Sequence, residues 1–362
     1  MIDWHKNPVN IKRRQKQVRN QIDDKIDFVI PWVDGSDPEW LSEFNKYAPE
    51  SSRKNISDSR AERYRDYGLL RYWFRGVEKF APWVNKVHFV TSGQKPDWLN
   101  LDAPKLHWVR HSDYIPAEYL PVFSSHPIEL MMHRIPGLAE KIVYFNDDFF
   151  LTAPVRKKYF FRRGLPCDFA SLNVINTGKK NGTRIPHILL NDMIEINNHF
   201  DKKAMMKANF GKWINLKYVH ESMKSICLTP WHAIPAITIR HHAQPFLKTT
   251  LDTVWENCAE KLKSTMQHRF RDTLQDVNQW LFRFWQMCEG NFAPTNHIKN
   301  EHMVSISKWT EADTKAIITG KYAEICIDDD TDENPCPDYE QKMRSIADAF
   351  ETILPEKSSF EI

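Results

Sequence analysis

Lys141-Ile-Val-Tyr-Phe-Asn-Asp-Asp-Phe-Phe-Leu151 lies near the middle of a 362-residue chain and holds an apolar run broken by Asn146-Asp147-Asp148. The part before the break is short, β-branched and aromatic, which predicts a buried strand rather than a helix. Two adjacent carboxylates at the carboxyl edge of such a strand stand where open α/β sheets bind ligands. They suit a divalent cation and, through it, phosphate oxygens. Taken alone, the Asp-Asp pair reads as a solvated strand-end turn, and the rest of the chain shifts that balance.

Working outward, residues 25–33 read as another buried strand, closed by the turn signal Asp34-Gly-Ser-Asp-Pro38. Further strands are predicted at 86–91, stopped by Ser92-Gly-Gln-Lys-Pro96, and at 106–110. Helical spacing covers 61–80 and 127–138. Strand, helix, strand, strand, helix, strand implies an α/β fold with a mainly parallel, Rossmann-like sheet and right-handed crossovers. Beyond about residue 165 the pattern turns helical, at 192–213 and 251–287, and predicts a lobe or lid. A last helix is predicted over 338–354, with Met343, Ile346, Ala347 and Phe350 inward. Residues 11–24 are predicted to form a basic helix whose cationic face reads as solvated in the first instance and as a membrane-surface or polyanion contact in the second.

Composition narrows the function classes. Fifty basic and forty-seven acidic residues give a formal charge of +3, too balanced for a protein living on nucleic acid. The start, Met-Ile-Asp-Trp-His-Lys, lacks the features of a signal peptide, and no run approaches the roughly 20 apolar residues of a spanning helix, so a cytoplasmic location is expected. The six cysteines show no paired spacing and read as reduced thiols, most of them filling the core. Neither a Gly-x-Gly-x-x-Gly fingerprint, a P-loop nor a Gly-x-Ser-x-Gly elbow is present.

What remains are acids, arginines and histidines after strands and near helix starts. Phosphoryl transfer needs that palette: a cation and arginines to neutralise charge, and a base for the attacking hydroxyl. Asp34, Asp37, Asp147 and Asp148 offer ligands. Arg71, Arg134, Arg271 and the 162–163 pair offer positive charge, and His133, His241 and His242 offer bases near neutral pH. Each alone also has a structural explanation, as a solvated helix residue, a core cap or a strand edge. The acidic run 328–333 lacks the glycine of a calcium loop and reads as a solvated turn or a second cation site.

Ile26-Asp-Phe-Val-Ile-Pro-Trp-Val-Asp-Gly-Ser-Asp-Pro-Glu-Trp40 resembles the first conserved region of the Stealth family of sugar-1-phosphate transferases. The second region is matched nearly continuously. Its matches include Asp66, Leu70-Arg71-Tyr72, Val90-Thr-Ser-Gly-Gln94, Phe123-Ser-Ser125, His133-Arg134 and Tyr144-Phe-Asn-Asp-Asp148. The chain is similar to the third region around His241 and Arg271 and to the fourth at Cys326-Ile-Asp-Asp329.

The pattern along the chain predicts a Rossmann-like, GT-A-like architecture divided into a basic N-terminal helix (1–24), a nucleotide-sugar-binding core (25–164), a helical lobe (165–325) and an acidic segment with a closing helix (326–362). The resemblance implies transfer of a hexose-1-phosphate, an N-acetylhexosamine-1-phosphate by expectation, from a UDP-sugar to a sugar hydroxyl, with release of UMP. The setting would be capsule or cell-surface polysaccharide synthesis, with magnesium or manganese as cofactor and a saccharide acceptor as partner. A peripheral contact with the inner membrane or a capsule assembly complex belongs to the same picture.

Under that implication Asp147 and Asp148 hold the metal, with Asp34 beside them. Arg271 and Arg71 stabilise charge on phosphorus, and His241 is the base. Asp37, Asp66, Ser92, Gly93, Gln94, Ser124, His133, Arg134, Asn146 and His242 shape the donor and acceptor pocket. His241-His242-Ala243 leaves two imidazoles for the family's histidine, and spacing to Arg271 favours His241. The alternatives are a metal-dependent glycosyltransferase releasing UDP and a non-catalytic glycan- or polyanion-binding protein.

Overall fold

The computed structural model describes residues 24–48, 64–177, 184–218, 220–330 and 337–362. The basic helix expected at 11–24 lies almost wholly outside them, as do residues 331–333 of the acidic run. At the centre β1 (Ile26–Pro31), β2 (Val87–Thr91), β3 (Leu106–Arg110) and β4 (Lys141–Tyr144) run parallel. The chain then passes through β5 (Phe149–Leu151) and the hairpin β6 (Phe161–Arg162) and β7 (Leu165–Asp168). Strand β8 (Gln244–Leu247) returns antiparallel along β4, so the sheet order is β3-β2-β1-β4-β8. The remaining strands are β9 (Ala293–Pro294), β10 (Glu301–Ser305) and β11 (Glu324–Asp328).

Both faces of this sheet are covered, which is why its strands read as nearly continuous apolar runs. Phe28, Ile30, Phe89, Val143 and Phe145 face one core, while Val29, Val90, Ile142 and Tyr144 face another. Each fully buried side chain of this size contributes roughly 1.5–3 kcal/mol, and a one-residue slip would exchange the two sets.

The helices are α1 (Pro38–Tyr47), α2 (Leu70–Phe80), α3 (Ser125–Leu130), α4 (Lys157–Phe160), α5 (Arg184–His199), α6 (Lys202–Trp213) and α7 (His220–Leu228). They continue with α8 (Lys248–Met266), α9 (Gln279–Glu289), α10 (Glu311–Ile318) and α11 (Tyr339–Ile353). Helix α2 packs on the first core through Trp73, Phe74 and Val77, and α11 through Ile346 and Phe350, as expected. Helices α8 and α9 supply much of the second core.

Four predicted helical stretches are shorter or more broken than their periodicity, and the first, 192–213, is split between α5 and α6 where Asp201 caps α6 by accepting from the Ala204 amide. Among the described residues the 61–80 helix starts only at Leu70, because Gly68 takes a left-handed φ of 67°. The 127–138 helix ends at Leu130 and gives way to a single 3-10 turn. Pro136 holds the preceding Ile135 at ψ 125°, outside the helical region. The 251–287 helix is two helices, since Asn278 caps α9 by accepting from the Trp280 amide and leaves 267–278 as a loop. That loop carries Arg271.

The strand order positions the site. The chain moves from β1 through β2 to β3 on one side and then crosses to β4 on the other. The ends of β1 and β4 therefore diverge at a topological switch point, where such sheets bind ligands.

Candidate active site

A cleft of about 290 Å³ opens at this switch point. Asn146, Asp147 and Asp148 come from the end of β4, and Trp32 and Val33 from the end of β1. His241 precedes β8, whose pairing sets Gln244 opposite Tyr144 and so carries the imidazole to the β4 end. β5 leaves the main sheet at once to pair antiparallel with β11, with Phe149 opposite Cys326. The Ile327 amide donates to the Asp148 carbonyl at 2.9 Å, and Asp328 and Asp329 join the cleft.

Burial sets the charge states here. It pushes the Asp147 carboxyl up to about 7, with repulsion from Asp148 adding to the effect. Burial also lifts Asp148 to about 7, with Asp328 contributing. Oδ1 of Asp148 is buried without a hydrogen-bond partner. His241 is driven down to about 4 by burial and is neutral at pH 7. The Asn146 amide Nδ2 lies 3.4 Å from His241 Nε2, Cys326 Sγ lies 3.3 Å from Nδ1, and the Cys326 thiol donates to Asp148 Oδ2 at 3.4 Å. One tautomer satisfies all three contacts: the proton on Nδ1, and the Nε2 lone pair toward the Asn146 side.

The opposite wall is built by the 267–278 loop. Asp276 gathers it, pairing with His126 Nδ1 and His268 Nδ1 at 2.7 Å each and accepting from the Asp272 amide at 2.9 Å. Phe270 stacks on Phe123 with centroids 5.1 Å apart, inside an aromatic cluster with Trp40, Phe44 and Tyr64. Arg271 is thereby held at the cleft, and its Nη2 donates to Ser125 Oγ at 2.9 Å. Behind it sits Glu129, pushed up to about 7 by burial and eased down by the Arg271 charge.

Asn146, Asp147, Asp148, His241, Arg271, Ser92 and Ser124 line the cleft. Ser124 also caps α3. Asp66 accepts from Trp32 Nε1 at 3.2 Å and is close enough to raise Asp147. Asp34 is not among the residues lining the cleft: its carboxylate accepts from the Ser36 amide and hydroxyl, and its backbone is locked to the Gln94 side chain. Gly93, with φ 133°, lets the β2 loop turn beside that lock.

Five expected residues stand elsewhere. Asp37 is the N-cap of α1, accepting from the Trp40 amide. Arg71 is exposed, lies over the Trp98 ring and does not line the cleft. His133 is buried against Trp255 and Arg134 lies over the same ring. His242 turns away from its neighbour toward Glu301 and Glu324. Successive residues of an extended segment face opposite ways, and that alternation separates the two imidazoles.

The cleft is also lined by Arg65, Tyr67 and Asp329, none of which stands out in the sequence as a site residue. Arg65 pairs with Asp329 at 2.6 Å, and the Tyr67 hydroxyl donates to the same carboxylate at 3.2 Å. Gly35 makes this possible: its amide donates to the Tyr64 carbonyl, and a Cβ there would lie 2.6 Å from that oxygen. Only their place beside Asp66 and the acidic fourth region hinted at them. Cys326 fills the core, as expected of the cysteines, and from there its thiol also meets Asp148 and His241.

As for a metal, Asp147 and Asp148 are half-buried, the charge of Asp148 repels that of Asp147, and Asp148 Oδ1 is a buried atom without a hydrogen-bond partner among the described residues. That set fits a hard divalent cation. Asp148, His241 and Cys326 also bring one ligand atom each within 4.8 Å of one another, a mixed oxygen, nitrogen and sulfur set of softer character.

Family comparison matches residues 24–52 to Stealth protein conserved region 1 and residues 63–167 to conserved region 2. The chain is 40% identical to a receptor polysaccharide phosphotransferase, WefC, of Streptococcus gordonii, over 94% of this chain and 99% of that protein. The chain belongs to the Stealth family. A capsular polysaccharide phosphotransferase, WcwK, of Streptococcus pneumoniae is 37% identical over 93% of this chain and 98% of that one. An exopolysaccharide phosphotransferase, cps2G, of Lactiplantibacillus plantarum is 35% identical over 93% and 96%. The Stealth chain is accordingly an enzyme of the phosphotransferase class. Among solved structures it overlaps the apo form of the bifunctional glycosyltransferase WbbM at 11% identity and a TM-score of 0.33, over 92% of this chain and 52% of that one.

Proposed function

We propose that the cleft transfers a hexose-1-phosphate from a UDP-sugar to a sugar hydroxyl in capsule or surface polysaccharide synthesis, forming a phosphodiester and releasing UMP. The observation that carries this reading is the meeting of a neutral His241, the Asp147–Asp148 pair and Arg271 across one cleft. The acceptor oxygen attacks the sugar-bearing phosphorus, and the bond from that phosphorus to the bridging oxygen breaks. UMP leaves with the bridging oxygen, and the hydroxyl proton passes to His241 Nε2. Arg271 faces the transferred phosphoryl oxygens, where charge accumulates. Asp147 and Asp148 would hold magnesium or manganese, which when bound neutralises diphosphate charge. The aromatic wall of Trp40, Tyr64 and Phe123 excludes water and offers faces for the uracil and sugar. UDP-sugars are made in the cytoplasm, so on this reading the reaction would run on that side of the membrane.

Incubation with a panel of UDP-sugars, magnesium and an acceptor saccharide, followed by phosphorus NMR, tests the reaction. A phosphodiester resonance with UMP is expected; UDP without a new phosphodiester would move the chemistry to the anomeric carbon and sink the proposal. The two arginines implied for phosphorus should separate in the same assay. Arg271→Ala is expected to lower kcat/KM by about 10³-fold. Arg71→Ala should stay within about threefold of wild type, since surface substitutions away from such features are near neutral. Equal losses would show that the cleft is not where the phosphoryl group sits.

A further inference from the structure

The Arg162–Arg163 pair has no part in the cleft, yet the structure spends conformational strain on it. β6 and β7 form a two-residue hairpin, with Phe161 opposite Pro166 and Arg162 opposite Leu165. Its turn residues are Arg163, with φ 53°, and Gly164, with φ 76°. Two successive left-handed residues make the tight turn whose first position ordinarily belongs to Asn, Asp or Gly. An arginine there carries a backbone cost that a mere connection would not need.

Below this turn lies an open groove of about 620 Å³, bounded by Arg162, Arg163, Lys212, Lys217, Phe292 and Pro294. Among the described residues lining it there is no carboxylate. Lys217 Nζ donates to the Pro294 carbonyl at 2.9 Å, and Lys212 Nζ donates to the carbonyls of Phe292, at 2.8 Å, and Gly290. Arg162 Nε donates to the Lys158 carbonyl at 3.1 Å. At Arg162 and Lys217 these carbonyls orient the cation without supplying a compensating formal charge. The four positive groups come from two separated segments, 162–163 and 212–217, and so border an elongated strip over an apolar floor. That arrangement concentrates anions, and the guanidinium groups match phosphate oxygens in pairs.

We propose that this groove is a second binding site, for the phosphodiester-bearing sugar chain that the enzyme extends. Its backbone phosphates would lie against Arg162, Arg163, Lys212 and Lys217. The identity of the ligand rests on the phosphodiester chemistry proposed for the cleft; the affinity for a linear polyanion does not.

The test uses a fluorescent poly(glycerol phosphate) oligomer, titrated by anisotropy against the full chain and against Arg163→Gly and Arg163→Gly/Lys217→Gln. Arg163→Gly removes the charge while suiting the left-handed turn, so its Tm should equal or exceed that of wild type. The double variant is expected to bind the oligomer about tenfold more weakly, with a log–log salt dependence shallower by about 1 to 2. UMP release with a short acceptor should be unchanged. Wild-type affinity in the double variant, or no binding by wild type, overturns the proposal. So does selective binding of phosphatidylglycerol vesicles in place of the oligomer, lost in the double variant, which would make the groove a membrane contact. If wild type forms no UMP from any donor, the reading of the cleft falls, and the anisotropy comparison still decides the groove.

Discussion

Asp148→Asn is expected to lower UMP release by about 10³-fold, a loss of about 4 kcal/mol at the transition state, while leaving the fold in place. The asparagine keeps the shape of the side chain and can still accept from the Cys326 thiol, which lies 3.4 Å from Asp148 Oδ2. It loses the negative charge that makes the Asp147–Asp148 pair a cation site. Near-normal turnover would sink that assignment.

Stability supplies a readout independent of turnover. The folded-state carboxyls of Asp147 and Asp148 titrate near 7, against an ordinary 3.8, because burial disfavours their ionised forms. A carboxyl raised on folding contributes stability that is fully present below about pH 4 and is lost as the pH climbs through about 7. Without divalent ions the wild-type Tm should therefore fall, relative to Asp148→Asn, between pH 5 and pH 8. Magnesium should recover wild-type Tm at pH 8 more than at pH 5, where protons compete for the same oxygens, and should do much less for the variant. A magnesium shift equal in both proteins would place the ion elsewhere.

The sheet was legible because a doubly covered strand must be apolar on both faces. The runs at 25–33, 86–91, 106–110 and 141–145 therefore showed their type and nearly their limits. Strand β8 was not legible: Gln244-Pro-Phe-Leu247 is four residues long and joins the sheet only because β4 offers an edge. The same pairing lies behind the His241 placement, so spacing could nominate that residue, while the alternation that turns His242 toward Glu301 and Glu324 needed the backbone. Asp147, Asp148 and Arg271 were nominated by chemistry and local sequence. Arg71 had the same chemistry, but its helix presents it to solvent over Trp98, and periodicity alone does not say which polar face looks toward a ligand. Arg65 and Tyr67 were passed over because the 64–68 segment reads as helix, and Gly68 with the Gly35–Tyr64 contact makes it an extended wall of the cleft instead.

The largest expected loss of stability lies beneath the cleft. Arg283 is fully buried and grips Asp168 with two bonds, Nε to Oδ2 at 2.7 Å and Nη2 to Oδ1 at 2.9 Å, while Nη1 donates to the Thr238 carbonyl at 2.7 Å. Arg240 reaches the same carboxylate at 3.4 Å and is paired more closely with Glu301. Arg283→Met would leave the Asp168 charge in the interior with Arg240 as its cationic partner at 3.4 Å and the Phe169 amide donating to Oδ1 at 2.8 Å, at a cost of about 3–5 kcal/mol in chemical denaturation. Asp168→Asn added to Arg283→Met should return a large share of it, because the penalty is an unpaired buried charge more than a lost attraction. A single variant within about 1 kcal/mol of wild type would show that Asp168 is neutral in the folded protein. The network also has a bearing on turnover. Arg240 immediately precedes His241, and the Ala243 amide donates to Glu324 on β11, so the segment carrying the base is clamped from both sides. Arg283→Met assayed well below its melting point should therefore lose kcat more than it changes KM, as expected when a base is loosened and the substrate contacts are kept.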